Sequence, residues 1–151
     1  MSIPTADEPT DDEFAQILSE CCAWVGQHEL CILYSGVALT NEQQDDARRI
    51  GVTYPERVRL LKREKVPSPP GLNVPEDVRG LAAQYGIYIR ASCWGERHIV
   101  VHELVHTMQY ERLGGIEQFL RPYLDECLRP PFYPNGEMEK EARRFVDEIC
   151  G

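Results

Sequence analysis

Between His98 and Gly115 the chain reads HIVVHELVHTMQYERLGG. Its apolar positions Val101, Leu104, Val105 and Met108 recur at three and four residues before a double glycine stops the pattern. That spacing is one face of an α-helix, at about 100° per residue. On the same wheel His102 and His106 stand one above the other, about 40° apart, on the face beside the stripe. A helix over roughly 97–113 therefore buries its stripe and leaves two imidazoles side by side, with Glu103 about 100° around from His102.

The pattern His102-Glu103-x-x-His106 suits zinc-assisted hydrolysis. Two neutral imidazoles hold the ion, and a carboxylate that does not ligate it takes a proton from the zinc-bound water that acts as nucleophile. The competing reading is an exposed helix face that carries histidines by chance. His98 falls on the same face, but three turns of one helix cannot converge on one ion, so it reads as a helix-start or cleft residue. Cys93 is a candidate thiolate ligand, for which a buried structural thiol is the favoured alternative. A catalytic zinc needs a third protein ligand and an open position. In GEMEKEARRFVDEI the stripe Met138, Ala142, Phe145, Val146 and Ile149 has Glu139 on one flank and Glu141 on the other, and spacing alone leaves both open.

Elsewhere the pattern is mixed. Phe14, Ile17, Leu18, Cys21 and Val25 mark a first helix starting near Asp12; ELCILYSGVAL reads as a buried strand; Thr40 and Gly51 bracket a helix as N-cap and stop; RVRLLKREKV reads as a second strand. VPSPPGLNVP is a connector. PEDVRGLAAQYG then reads as a short helix opened by Pro75, GIYIRAS as a strand, and helices follow over roughly 97–113, 115–129 and 136–149. The expected class is α+β, with one domain over 13–151 behind a flexible acidic tail over 1–12.

HELVHTMQ followed about thirty residues later by MEKEARRF resembles the gluzincin zinc metallopeptidases, and at this size the minigluzincins. HELVHTMQYERLGGIEQFLRPYLDEC is also similar to a group of small bacterial proteins, over a span from about GVTYPERVRLL to the C-terminus. The gluzincin resemblance implies a zincin-like domain, a short mixed sheet with an active-site helix and C-terminal helices. It also implies zinc bound by His102, His106 and Glu139, since Glu139 and not Glu141 stands in the E-x-x-A setting of the family's third ligand. Glu103 would be the general base. GIYIRAS would be the edge strand bordering the cleft, able to take an extended peptide or protein substrate by strand addition. The chain departs from the family at Arg143, where many gluzincins carry an aspartate that orients a zinc-bound imidazole, so its support for that imidazole must differ. Tyr88, Tyr110, Tyr123, Tyr133 and His98 are all candidates for stabilising an oxyanion, and Gln109 is read as lining the cleft, as bonding a neighbour of a ligand or, equally, as an ordinary solvated glutamine.

Sixteen basic residues against twenty-five acidic ones give a net charge of -9, which argues against nucleic acid and anionic membranes as partners. No apolar run is long enough to span a bilayer. The acidic N-terminus lacks an export pattern, so a cytoplasmic protein whose six cysteines are buried thiols is expected, and without a C-x-x-C pair a cysteine zinc site is not. Oligomeric state is left open. The leading expectation is a zinc-dependent peptidase; the alternative is a binding or regulatory module on the same scaffold.

Overall fold

The structure, a computed structural model, describes residues 8–151. The first helix, α1 (Asp11–Ser35), opens with a capping box. The Thr10 hydroxyl accepts from the Glu13 amide, and the Glu13 carboxylate accepts from the Thr10 amide. Of the expected acidic tail, 1–7 lie outside the described residues. Asp11 and Asp12 are already the first turn of α1, where acids complement the helix dipole.

The same helix absorbs ELCILYS, read from sequence as a strand. The buried series Leu18, Cys21, Val25, Glu29, Ile32 keeps helical spacing across Gly26 and the polar Glu29. Glu29 is buried at low cost because its carboxylate accepts two contacts from Gln84 Nε2 and one from the Tyr85 amide.

After α1 come β1 (Val37–Ala38), α2 (Asn41–Ile50) and β2 (Arg59–Arg63). Helix α2 has the expected caps, Thr40 before it and Gly51 behind it at φ 107°, the left-handed conformation that glycine adopts without strain. The connector over 64–79 contains neither helix nor strand. Next, β3 (Gly80–Ala83) and β4 (Gly86–Arg90) form a hairpin. PEDVRGLAAQYG is thus a turn and a strand, not a helix. Its alanines permit a helix, but cross-strand pairing and contact with the next helix outweigh that weak preference.

The sheet runs β1-β2-β4-β3, with β2 and β4 parallel and the other pairs antiparallel, so it is short and mixed as expected. GIYIRAS is a strand but not an edge. It is β4, flanked on both sides, and the edge is β3.

Three helices complete the chain: α3 (Arg97–Leu113), α4 (Ile116–Leu128) and α5 (Glu137–Cys150). The alternation of β4 divides the core. Ile87 and Ile89 pack with α2, Val101, Leu104 and Val105 of α3, and Ala142 of α5, whereas Tyr88 faces Ile32 of α1 in a second cluster with α4. The architecture is α+β. No helix among the described residues is long and apolar enough to cross a membrane.

Candidate metal centre

Helix α3 lies between the sheet and α5, so its stripe is covered on one side and its histidines meet α5 on the other. His102 Nε2 stands 2.9 Å from Glu139 Oε1, and His106 Nε2 stands 2.9 Å from Glu139 Oε2. One ligand atom from each of the three residues lies within 4.8 Å of the other two. Docking of α5 thereby separates the two glutamates that spacing left open. Glu139 faces the imidazoles, and Glu141 instead contacts Gln109 and Arg112.

The electrostatics are those of tightly held opposite charges. Burial favours neutral imidazole at His106, but the adjoining Glu139 carboxylate outweighs it and holds the group up at about 9. Burial pushes Glu139 upward, and His106 and His102 more than reverse this, leaving its carboxyl far below the usual range.

The donor set also fits a zinc ion. His106 faces an acceptor at both ring nitrogens, Gln109 Oε1 at 2.8 Å from Nδ1 and Glu139 at Nε2. Neutral imidazole can donate only once, so the pocket between Nε2 and the carboxylate calls for a second proton or a cation. Two imidazole nitrogens and one carboxylate oxygen are a ligand set that catalytic zinc uses.

Glu103 stands outside this group of three. It is buried, and burial pushes its carboxyl upward, opposed by the His102 and His106 imidazoles and by the Ala82 amide. Its side chain lies against Gly80 of the edge strand, where a Cβ would come within 3.0 Å of Glu103 Cγ. Only glycine leaves that space without displacement.

These residues line a cleft of about 780 Å³ between β3, α3 and the connector, which also reaches Phe119 and Leu120 of α4 and Cys21 and Val25 of α1. His98 lines the cleft and pairs with Glu96 at 3.5 Å. Cys93 is buried in the core beside α3 and is not part of that cluster. Among the tyrosines, Tyr123 donates to Glu139 Oε2 at 2.8 Å, Tyr133 and Tyr110 also line the cleft with Tyr110 donating to Ala82 O, and Tyr88 meets His28 beneath α1, outside the cleft. Gln109 contacts a candidate ligand itself rather than a neighbour of one. Arg143 donates to Pro134 O. The contact of Tyr123 with Glu139 had no signal in the sequence. That of Gln109 had a faint one, the i,i+3 spacing from His106.

No known protein family, curated protein or solved structure matches the chain.

Proposed function

We propose that this chain is a zinc-dependent peptidase of the gluzincin type. The observation that carries the reading is the convergence of His102 Nε2, His106 Nε2 and the Glu139 carboxylate on one point, with a buried fourth group, Glu103, beside them. Zinc held by the three would supply Lewis acidity, polarising a carbonyl and acidifying water. Glu103 then accepts the proton of the attacking water and returns it to the leaving amine. Burial pushes its carboxyl upward, the direction that suits a group which takes a proton and gives it back.

The cleft suits an extended peptide. Arg90 donates to Arg79 O, so hydrogen-bonded pairs alternate along the hairpin and the backbone groups of Gly80 and Ala82 point to the open side of β3. Ala82 O receives Tyr110. Gly80, beside Glu103, presents its N–H and C=O to a substrate strand, and strand addition there would set a peptide bond near the proton acceptor. The apolar lining from Val25, Leu72, Phe119 and Leu120 fits an apolar side chain of that peptide. Six free thiols fit a reducing compartment such as the cytoplasm.

The test is metal analysis of the purified protein together with cleavage of a peptide library by wild type and Glu103→Gln. About one zinc per chain and cleavage lost in the variant support the proposal. A zinc-free wild type, or cleavage undiminished in the variant, overturns it.

A further inference from the structure

We infer that Gln109 is the positioning residue for His106, set by a polar chain that runs from Arg112 through Glu141 and Gln109 to the imidazole. The inference rests on the zinc site proposed above and adds a role for three residues outside it.

The direction of the chain follows from its acceptors. Gln109 Nε2 lies 3.0 Å from Met138 O and 2.8 Å from Glu141 Oε1, two groups that accept and do not donate. Both amide protons are therefore used there, and Oε1 turns to His106 Nδ1 at 2.8 Å. The opposite orientation of the amide would set an oxygen against two oxygens. With an acceptor fixed at Nδ1, the ring proton of neutral His106 belongs on Nδ1, and the Nε2 lone pair faces Glu139. Glu141 is fixed in turn by a two-pronged contact with Arg112, at 3.0 and 2.8 Å. Gln109 is fully buried, so water does not compete for its amide.

The placement differs from what the family resemblance implies. Many gluzincins carry an aspartate four residues after the ligand glutamate, and here Arg143 stands at that position and bonds Pro134 O. The carboxylate that supports the imidazole is instead two residues after Glu139, and it acts through an amide borne by the ligand's own helix. Gln109 also ties α3 to α5 at Met138, one residue before Glu139, so the element that orients one ligand anchors the backbone that carries another. His102 contrasts with this. It is partly exposed, and among the described residues its side-chain hydrogen-bond partner is Glu139.

The experiment measures zinc affinity by competition with a chelating dye in wild type, Gln109→Met, Glu141→Ala and Arg112→Ala, with circular dichroism as a control for folding. Loss of such a supporting partner commonly weakens metal binding by about 10- to 100-fold. We expect that loss for Gln109→Met, a several-fold loss for Glu141→Ala and a smaller one for Arg112→Ala. Nuclear magnetic resonance of the zinc-loaded protein should show a His106 Nδ1 proton protected from solvent exchange in wild type and unprotected in Gln109→Met, a signature that a purely structural role would not move. Should Gln109→Met fail to fold, Glu141→Ala decides, since Glu141 is partly exposed and lies outside the core clusters. Unchanged affinity in the folded variants overturns the positioning role and leaves the zinc site standing. A wild type that binds no zinc overturns both.

Discussion

Glu29 and Glu103 are buried to nearly the same degree, 8% and 7% exposed, on helices that reach the β3-β4 hairpin from different sides. Glu29 meets donors supplied by the hairpin turn, two contacts from Gln84 and one from the Tyr85 amide, so its charge is consumed by the fold. Glu103 faces a cleft, lies against a glycine with no side chain, and has its carboxyl pushed up by burial. Burial alone therefore does not distinguish a carboxylate spent on the fold from one that borders a cleft. What distinguishes them is that Glu29 is taken up by donors of the hairpin turn, whereas Glu103, held by the Ala82 amide, still borders the cleft.

The largest expected effect lies at the residues that Glu103 adjoins. His102→Ala, His106→Ala and Glu139→Ala should each bring zinc content from about one per chain to near none, because two remaining ligands hold the ion poorly. Glu141→Ala should retain most of it at saturating zinc. Metal analysis giving the reverse order for the two glutamates would mean that α5 presents its other flank.

The comparison itself is tested by making the same substitution twice. Glu103→Gln should keep its zinc and melt at or above the wild-type temperature, while hydrolysis falls by roughly 100-fold or more, the usual scale for losing a general base. Gly80→Ala comes next. The added methyl group must displace the Glu103 side chain, and activity should fall roughly tenfold with zinc retained, since small misplacements of a reacting group are costly. Glu29→Gln should do the opposite of its counterpart. It should lose about 1 kcal/mol of stability in a denaturant titration as one acceptor becomes a donor, with zinc content and activity per folded molecule unchanged. If the two Glu→Gln variants behaved alike, the distinction drawn from their donors would fail.

The legible parts of the sequence were those where the local signal and the packed result agree. Helix α3, its glycine stop and the caps of α2 follow from spacing and end residues that need no distant partner. The choice of Glu139 over Glu141 came from the family resemblance, and it is Glu139 that the docking of α5 brings beside the imidazoles. Other features lay beyond spacing. The second half of α1 was hidden because Glu29 reads as polar until its donors, more than fifty residues away, are known. Strand β3 was hidden because Gly-Leu-Ala-Ala has little preference of its own and is held by β4 and α3. The two-residue β1 is too short to carry a period. The contact from Gln109 to His106 depends on an amide turned by α5, information that no local window contains.

The hairpin is tied to its surroundings at several points. Thr107 donates to Gln84 O, Tyr110 to Ala82 O, and Tyr85 to both Glu29 and Glu111. The opposite wall, the connector over 64–79, has no ladder of its own. The two sides of one cleft should therefore differ in opening free energy, which amide hydrogen exchange can time. Protons of β3 and β4 should persist toward the limit set by global unfolding, and those near Leu72 to Asp77 should exchange early. Breathing of the molecule should then be one-sided, the wall beside Glu103 holding its register while the proline-rich wall opens, and on the proposed reading entry of a peptide would be timed by a segment that carries none of the chemistry.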